Sequence, residues 1–381
     1  MILFIGHEGS LTGAPIFLLR IIKYIKAQTA EEIHVILKKG GDLENEYQKY
    51  SDKTTIWHVD WYYEKNIIKK LKNRILNNNR RQKSIQDFYS KNKPKIIFNN
   101  TAGNGIILKK LFNADVPVIS FIHELQSVIN MHYIYSEETT FLFENTKEFI
   151  TPSKATKNNL SKNNNICLNK INICYGSSSI ISENIETLKG NIGLKKQLKI
   201  NDKTFLIGAC GTLGWRKGSD LFLKVCKQLK AEDNFKFIWI GINKNSQSYN
   251  EFMYEANKYK LGDQLITIPH EQDIGKYYKL LDLFLMTSRE DPFPLVNLEV
   301  AEFGVPIICF KDSGGSEEFV EENSGFIVPY GDTTKMSQKA LEIYKSPKVR
   351  SRLENGIRKQ SRKFNNHNSL DKIWEIIFKY L

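Results

Sequence analysis

The chain has 381 residues, of which 41% are hydrophobic and 12% aromatic, and it carries a formal net charge of +13. That length exceeds what one hydrophobic core usually organises, so two domains are expected. No apolar run approaches the roughly 18 residues of a membrane-spanning helix, the start of the chain lacks the basic segment of a secretion signal, and the five cysteines have no metal-type spacing. We therefore expect a cytoplasmic protein without a transmembrane helix, a structural zinc site or disulfides.

Apolar, strand-like runs alternate with helical stretches along the whole chain. In the first half the predicted strands are residues 2–5, 33–37, 55–58, 95–98, 116–122, 148–150 and 171–174. In the second half they are residues 205–210, 236–240, 265–268, 283–286, 306–309 and 325–328. Predicted helices include residues 15–27, 219–230, 273–281, 335–344 and 370–381. This alternation favours parallel sheets covered by helices on both faces.

The two predicted domains meet in residues 177–199, where serine-rich turns give way to a lysine-rich stretch of low apolar content. The first domain is predicted over residues 1–178 and the second over residues 179–364. Ligands of parallel sheets bind outside the carboxyl ends of the strands. Two such domains facing one another would leave a cleft between those ends.

Two strand ends of the N-terminal half carry candidate functional residues. The first strand runs into a loop of small residues from Gly6 to Pro15, and proline suits the first turn of the helix that follows. The loop lacks the GxGxxG spacing of a dinucleotide-binding fold, which argues against a dehydrogenase. His123 directly follows the strand at 116–122, a position from which its ring can reach a ligand.

Much of the positive charge lies in residues 65–95, where lysines and arginines alternate with apolar residues at a helical period. A solvated helix that packs one face on the core would give this pattern. So would a helix lying on an anionic membrane surface, or one that binds nucleic acid. Since no nucleic-acid-binding motif is present, membrane contact is the expected functional role and no nucleic-acid partner is expected.

The strand at 205–210 ends in a glycine-rich turn that contains Arg216, Lys217 and Gly218, and a helix begins at Ser219. A cation at such a turn stabilises the charge that grows on a departing diphosphate. A surface charge at a helix entrance is the simpler alternative.

Residues 287–306 read as a strand end, a tight turn, a helix, and a Gly-Val-Pro sequence that leads into the next buried strand. Asp291 stands just before the turn and Glu299 about one turn into the helix. A helix N-terminus attracts anions such as phosphate, and a carboxylate beside it can accept hydrogen bonds from sugar hydroxyls. One turn could therefore hold both halves of a nucleotide-sugar, although an arbitrary acid pair at this spacing is more often a solvated cap.

Residues 291–299 resemble the acid-x7-acid motif of the retaining glycosyltransferases of family 4, whose usual form is Glu-Gly-Phe-Gly-Leu-Val-x-Leu-Glu. This chain departs from the motif in having Asp291 for the first Glu, and Pro292 and Pro294 for the two glycines. Each proline removes one backbone donor. Lys217 matches the lysine that the family places before a glycine, whereas Thr212 stands where the family has an arginine.

The resemblance implies an α/β protein of GT-B architecture, with two Rossmann-like parallel-sheet domains facing a central cleft and a final helix, within residues 365–381, that crosses back to the first domain. It implies a hexosyltransferase-type enzyme that transfers a sugar, with retention, from a nucleoside-diphosphate sugar to an acceptor hydroxyl. The donor would be a UDP- or GDP-sugar and the acceptor a carbohydrate or a lipid-linked sugar, in surface polysaccharide or glycolipid synthesis. No cofactor and no metal are expected.

The resemblance also assigns the site residues. His123 would contact the transferred sugar, Asp291 would hold its hydroxyls near the anomeric carbon, and Lys217 would carry the diphosphate charge; these three are the predicted catalytic residues. The predicted substrate-binding residues are Gly13, Ala14, Arg216, Gly241, Glu290, Phe293, Leu295, Val296 and Glu299. Within this set Arg216 would replace the missing arginine, Gly241 would approach the nucleotide base, and Glu299 would bind the ribose.

Two other functions fit parts of the sequence. A sugar-nucleotide epimerase or a phosphorylase can share the GT-B fold, and an epimerase would act on the donor without an acceptor. A non-catalytic basic protein that binds membrane or nucleic acid would explain the charge. The placement of His123, Lys217 and the Asp291–Glu299 pair at strand ends argues against that second alternative.

Overall fold

The computed structural model describes residues 1–57, 79–131, 136–176, 192–271, 273–365 and 368–381. The chain divides into two units: unit 1 comprises Met1–Gly176 and Asn368–Leu381, and unit 2 comprises Ser177–His367. The predicted boundary at residues 178/179 and the first part of the basic segment, residues 65–78, lie outside the described residues.

The described part of unit 1 is built on a seven-stranded sheet. The strands are β1 (Ile2–Glu8), β2 (Ile33–Lys39), β3 (Lys53–Ile56), β4 (Ile96–Asn99), β5 (Val118–Phe121), β6 (Glu148–Thr151) and β7 (Ile171–Ile173). They pair in parallel in the order β3-β2-β1-β4-β5-β6-β7. The central strands are almost entirely apolar and buried, as expected of a parallel sheet covered on both faces.

The helices of unit 1 lie between these strands. They are α1 (Gly13–Gln28), α2 (Glu44–Tyr50), α3 (Asn79–Lys91), α4 (Gly105–Leu111), α5 (Gln126–Met131), α6 (Ser136–Glu144) and α7 (Lys154–Asn164). Helix α1 buries one apolar face that includes Leu18, Ile21 and Ile22 against the sheet. At roughly 25 cal/mol per Å² of apolar surface removed from water, such faces supply most of the stabilisation of the layer.

Unit 2 repeats the plan with a six-stranded sheet in its described part. Its strands are β8 (Phe205–Cys210), β9 (Phe235–Ile242), β10 (Leu265–Pro269), β11 (Leu283–Met286), β12 (Ile307–Phe310) and β13 (Gly325–Val328). They pair in parallel in the order β10-β9-β8-β11-β12-β13. Its helices are α8 (Ile192–Gln197), α9 (Ser219–Leu229), α10 (Gln247–Lys258), α11 (Gly275–Tyr278), α12 (Leu295–Glu302), α13 (Ser316–Phe319), α14 (Thr333–Lys345) and α15 (Pro347–Asn365).

Two of these helices differ from the sequence-based expectation. The helix predicted over residues 273–281 is reduced to α11, because the amides of Leu280 and Leu281 bond to the carbonyls of Tyr277 and Tyr278, three residues back, which tightens and ends the helix. The long helix α15 was not among the predicted helices. Its buried residues Leu353 and Ile357 lie one turn apart within a strongly charged sequence that masks the apolar stripe.

The last helix, α16 (Ser369–Phe378), belongs to unit 1. Ile373, Ile376 and Ile377 are buried in the same apolar cluster as α1. Tyr380 Oη donates a hydrogen bond to Glu148 Oε1 at 2.6 Å. The predicted return of the chain terminus to the first domain is therefore confirmed.

In both sheets the strand order reverses beside the first strand of the unit, between β1 and β4 and between β8 and β11. Neighbouring connections leave the sheet on opposite faces at such a point, which opens a crevice outside the carboxyl ends of the strands. Ligand-binding residues are therefore expected after β1, β4 and β5 in unit 1, and after β8, β9 and β11 in unit 2. No described helix combines the length and the apolar character needed to cross a membrane.

Candidate active site

The turn between β8 and α9 is shaped by glycines with positive φ. Gly211 has φ +136° and Gly218, the N-cap of α9, has φ +64°. A Cβ on Gly218 would lie 1.9 Å from the carbonyl oxygen of Thr287, so only glycine allows the turn to pack on the end of β11. Thr287 Oγ1 in turn donates to the carbonyl oxygen of Lys217 at 3.1 Å. These contacts fix the main chain of Lys217 beside the β11 strand end.

Lys217 and Asp291 form an ion pair at this position. Lys217 Nζ donates to Asp291 Oδ2 at 2.5 Å, and the side chains are 19% and 8% exposed. Ser288 Oγ donates to the same carboxylate oxygen at 3.4 Å. In such a poorly solvated setting a charge–charge contact is stronger than in water, so the ammonium is held in a defined position.

The main chain of Asp291 is held by the glycine turn that follows β12. The Asp291 amide donates to Ser313 O at 2.8 Å, and the Gly315 amide donates to Asp291 O at 2.9 Å. Gly314 has φ +121°, and a Cβ there would lie 1.9 Å from Asp291 O. A residue with a side chain at position 314 would therefore not allow the turn to pack this closely on Asp291.

Helix α12 begins immediately after this turn with Pro294 as its N-cap, and the Pro294 side chain makes no capping hydrogen bond. The amides of Leu295 and Val296 lie in the first turn, where intrahelical acceptors are absent. The helix start thus presents N–H donors and a partial positive charge near Lys217 and Asp291. The ring of Phe293 is buried and stacked on Phe364 at 5.8 Å, so this side chain anchors the turn.

Glu299 is positioned by a buried tyrosine that the sequence-based prediction missed. Tyr278 Oη lies 3.3 Å from Glu299 Oε2 and 3.2 Å from Cys210 Sγ. Burial raises the pKa of Tyr278 well above its ordinary value, and burial likewise raises the pKa of Cys210 to about 11, so both remain protonated. Tyr278 can therefore donate to the carboxylate while it accepts from the thiol. In the sequence, Tyr278 lies in a short run of aromatic residues, which is typical of core packing. The sequence alone therefore did not indicate its contact with Glu299.

Arg289, which the sequence-based prediction also missed, links the turn after β11 to the turn after β8. Its guanidinium makes two hydrogen bonds to Asp220, at 2.7 and 2.6 Å, and a third to the carbonyl oxygen of Trp215 at 2.8 Å. The same group lies 5.4 Å from the centre of the Trp215 ring. Arg216 Nη1 donates to Glu290 O at 3.3 Å, and the Arg289 amide donates to Arg216 O at 2.8 Å. The two hydrogen bonds between Arg289 and Asp220 fix the relative position of these turns more firmly than a lysine at position 289 could.

Gly241 lies where β9 ends, with φ +96°. A Cβ there would lie 3.4 Å from Gly211 O, and Trp239 Nε1 donates to that same oxygen at 2.8 Å. The turns after β8 and β9 are therefore in close contact. The predicted residues Arg216, Lys217, Gly241, Glu290, Asp291, Leu295, Val296 and Glu299 all belong to unit 2, at or just after the ends of β8, β9 and β11.

In unit 1 the predicted residues Gly13 and Ala14 open helix α1. Ala14 O accepts a hydrogen bond from Asn100 Nδ2 at 3.1 Å. Asn100 follows β4, is fully buried, and donates its own amide to Ile5 O at 2.9 Å. It therefore ties the loop after β1 to the loop after β4.

His123 lies in the same region, just past β5. Its Nε2 is 3.0 Å from Asn100 Oδ1, and its ring stacks on Phe121 with centroids 4.1 Å apart. Burial of the ring, with a smaller contribution from His7, lowers the pKa of His123 to about 3. The ring is therefore neutral near pH 7.

Glu124 holds the main chain around His123. Its carboxylate accepts from the amides of Ala102 at 3.2 Å and of His123 at 3.0 Å, and from the Thr101 hydroxyl. Burial raises the pKa of Glu124, although these hydrogen bonds act in the opposite direction. The sequence-based prediction overlooked Asn100, Thr101 and Glu124. The polar run Asn99-Asn100-Thr101 directly after a buried strand was the available signal.

The basic segment is described from residue 79, with side chains from residue 82. Within α3, Tyr89 is buried and Phe88 lies under Lys53 Nζ at 3.4 Å, so this helix packs an aromatic face on unit 1. Lys93 pairs with Asp115 at 3.3 Å and Lys95 pairs with Glu31. Within the described ranges, no group of three or more His, Cys, Asp or Glu side chains is arranged to hold a metal ion.

Comparison with known proteins connects this geometry to a family. Residues 193–360 match the family model described as "Glycosyl transferases group 1". The chain is 25% identical over 298 residues to the capsular polysaccharide biosynthesis glycosyltransferase CapM of Staphylococcus aureus, covering 75% of this chain and 76% of CapM. It is 26% identical to the lipopolysaccharide core biosynthesis mannosyltransferase LpsB of Rhizobium meliloti over 45% of this chain, but that match spans only 50% of LpsB.

Solved structures match over the whole chain. The crystal structure of Anabaena HepE in complex with UDP-glucose has a TM-score of 0.79 at 16% identity, and the match covers 100% of this chain and 99% of HepE. At that identity the likeness concerns the fold. The predicted α/β GT-B architecture, with two parallel-sheet units, is confirmed.

Proposed function

We propose that this chain, whose residues 193–360 match the family model of the glycosyl transferases group 1, is a retaining glycosyltransferase that moves a sugar from a nucleoside-diphosphate sugar to an acceptor hydroxyl. The observation that carries the proposal is the meeting of Lys217, Asp291 and the start of helix α12 where the strand order of unit 2 reverses. A cation and a helix N-terminus at one strand-end crevice suit a diphosphate.

Lys217 is the residue that opposes the charge of the leaving diphosphate. In the structure it is directed by Asp291, which lies 2.5 Å from its ammonium. A donor diphosphate binds against the same ammonium and the amides of Leu295 and Val296. Because these groups are in place before the reaction begins, they stabilise the developing negative charge without reorganisation. Arg216 lies in the same turn and adds to the positive potential.

Glu299 binds the ribose of the donor. Its carboxylate can accept two hydroxyl hydrogen bonds, and Tyr278 keeps one of its oxygens, Oε2, in a fixed position. Asp291 has two tasks: it directs Lys217 and it holds hydroxyls of the transferred sugar. The family 4 resemblance assigns the contact with the transferred sugar to His123 and the contact with the donor phosphates to the loop that contains Gly13 and Ala14.

The finer features of the reaction come from the family 4 resemblance of residues 291–299. They are retention of the anomeric configuration, front-face attack assisted by the leaving phosphate, and catalysis without a metal ion or other cofactor. CapM and LpsB act in capsular polysaccharide and lipopolysaccharide core synthesis, as their names state. We accordingly propose a role in surface polysaccharide or glycolipid synthesis, with a carbohydrate or lipid-linked acceptor. The proposed location is the cytoplasm, at the inner face of the membrane, contacted through the basic segment at residues 65–95.

Thermal-shift measurements with a panel of UDP- and GDP-sugars test the proposal first. A donor that binds the folded protein raises its melting temperature by mass action, and UDP-glucose is the first ligand to test because HepE was solved with it. Incubation of the stabilising donor with and without oligosaccharide acceptors then separates transfer from epimerisation. Absence of any shift across the panel contradicts the proposal, and conversion of the donor alone to its epimer favours the epimerase alternative.

A further inference from the structure

We propose that Asn100 is a positioning residue that fixes His123 as the neutral Nε2–H tautomer, so that His123 meets its substrate through Nδ1 as a hydrogen-bond acceptor. The tautomer follows from contacts within unit 1. Only the identity of the substrate hydroxyl rests on the proposed function.

The roles of the Asn100 amide are set by its two partners. Nδ2 lies 3.1 Å from Ala14 O, and a carbonyl oxygen can only accept, so the amide nitrogen must face it. The amide oxygen then faces His123 Nε2 at 3.0 Å. Because that oxygen also can only accept, Nε2 must carry the hydrogen. A neutral imidazole has a single N–H, and Nδ1 is left with a lone pair.

Asn100 itself has little freedom to exchange its two ends. It is fully buried, its own amide donates to Ile5 O at 2.9 Å, and turning the side chain over would place two acceptors, Oδ1 and Ala14 O, against each other. A mismatched pair of buried acceptors is costly because neither can bond to water instead. The ring of His123 is likewise held, by stacking on Phe121 and by an edge contact to Phe17 with centroids 6.4 Å apart.

The charged groups around the ring do not oppose the neutral form. His7 of β1 lies close enough to lower the pKa of His123, and Glu8, next to it, pairs with His7 at 3.8 Å. Glu124 directs its carboxylate to the amides of Ala102 and His123. Helix α1 offers the ring of Phe17, and β5 offers that of Phe121. Among the described residues, no hydrogen bond is made to Nδ1, which leaves this atom to a ligand.

The tautomer determines which substrate groups the site accepts. A lone pair at Nδ1 takes a hydrogen bond from a sugar hydroxyl and rejects an acceptor-only group such as a ring oxygen or a phosphate oxygen. The second contact of Asn100, to Ala14, places the first turn of α1 and the His123 ring in a fixed relation. Asn100 therefore acts on the substrate through His123 and the Gly13–Ala14 loop.

Side-chain ¹⁵N NMR of the wild-type protein tests the tautomer without any assay of activity. The expected spectrum shows, for His123, a protonated Nε2 and an unprotonated Nδ1 from pH 5 to pH 8, with the signals assigned by their loss in His123→Gln. A protonated Nδ1, or a ring that carries both hydrogens in this range, overturns the proposal.

The variant Asn100→Asp tests the role of the amide. A carboxylate beside Nε2 favours the imidazolium, so the pKa of His123 should rise toward neutrality, and a new ionisation should appear in the pH profile of kcat/KM. At low pH, where Nδ1 is protonated, kcat/KM for the sugar substrate should fall by roughly tenfold relative to the wild type.

Asn145→Asp is the matched control, because Asn145 Nδ2 also donates to a carbonyl oxygen, Phe141 O at 2.7 Å, and among the described residues Asn145 makes no hydrogen bond to a histidine. It should leave the pH profile unchanged. A wild-type pH profile retained in Asn100→Asp, in a protein whose NMR spectrum shows it folded, counts against the proposal. If the wild type transfers no sugar at all, the proposed function fails while the NMR result still decides the tautomer.

Discussion

Lys217 Nζ donates a hydrogen bond to Asp291 Oδ2 at 2.5 Å, and this contact joins the turn after β8 to the turn after β11. The cation that the proposed reaction needs is thus directed by the acid that the family motif places beside the sugar. Asp291 stands where the family motif has a glutamate, and its side chain is one methylene shorter. In this chain the aspartate makes a direct contact with the Lys217 ammonium. The pair therefore holds the lysine in place before a donor arrives, which is how a preorganised site lowers a barrier.

Lys217→Met should lower kcat for sugar transfer by roughly 10²- to 10³-fold, the usual loss when a group that stabilises transition-state charge is removed. Methionine keeps most of the side-chain length and removes the charge. Initial rates at saturating donor and acceptor give kcat directly.

Lys224→Met is the control for that variant, since Lys224 is an exposed residue on α9 and its loss changes the net charge equally. It should retain wild-type kcat. Equal rates in the two variants would remove Lys217 from the mechanism. Because the change leaves Asp291 partly buried without its partner, melting temperatures of both variants should accompany the rates.

Tyr278→Phe should weaken donor binding with little change in kcat. The variant removes the hydroxyl 3.3 Å from Glu299 Oε2 and leaves the buried ring in place. A net hydrogen-bond contribution of about 0.5–1.5 kcal/mol corresponds to an increase of about 2- to 12-fold in the KM or Kd of the donor. Calorimetric titration with UDP, which carries the ribose but lacks the transferred sugar, measures the effect on the Glu299 contact alone.

Tyr277→Phe is the paired control, because the neighbouring hydroxyl donates to Glu271 at 2.5 Å, away from Glu299. It should leave UDP affinity unchanged. Equal affinity in wild type and Tyr278→Phe would mean that Glu299 keeps its position without the tyrosine.

The sequence predicted the architecture well because parallel strands are short, apolar runs that stand out from their surroundings. The runs at residues 205–210, 283–286 and 325–328 coincide with β8, β11 and β13. The same logic placed Lys217 and Asp291 at neighbouring strand ends. Helices were harder to predict. Helix α15 has a narrow apolar stripe within a charged sequence. Helix α11 ends early because of local hydrogen bonds that cannot be predicted from the residue types.

The partners of the site residues could not be predicted, because they come from distant parts of the chain. Tyr278 meets Glu299 through the packing of α11 on α12, and Arg289 meets Asp220 across two turns. The contact between Asn100 and His123 likewise depends on the order β4-β5 in the sheet. A sequence motif identifies the residues that contact a ligand. The residues that orient those motif residues are brought next to them by the strand order and the helix packing.

Gly218→Ala should destabilise unit 2 far more than Gly331→Ala does. Both glycines have similar positive φ values, +64° and +73°, so an alanine costs about the same backbone strain at each, on the order of 1–3 kcal/mol. A Cβ at Gly218 would lie 1.9 Å from Thr287 O, whereas a Cβ at Gly331 has nothing within 4 Å. The difference in the free energy of unfolding between the two variants, measured in urea, isolates the steric term. Equal destabilisation would show that the turn after β8 can move away from β11.

His123→Gln should make the stability of the protein less sensitive to acid. Burial holds the pKa of His123 near 3 in the folded chain, whereas an unfolded histidine has a pKa of about 6.5. As the pH falls below about 6.5, the unfolded state takes up this proton first, so the wild type loses stability at up to about 1.4 kcal/mol per pH unit, and less than that because the ring is partly exposed. Above about pH 7.5 both states are neutral and the contribution is constant. The raised pKa of Glu124 is common to both proteins and cancels to first order in the comparison.

Urea unfolding at pH 8 and at pH 4.5 should therefore show a smaller loss of stability in His123→Gln than in the wild type. The control His270→Gln, at an exposed histidine, should behave as the wild type does. An equal loss in all three proteins would mean that His123 is protonated in the folded state at pH 4.5, in conflict with the lowered pKa of the ring packed against Phe17 and Phe121.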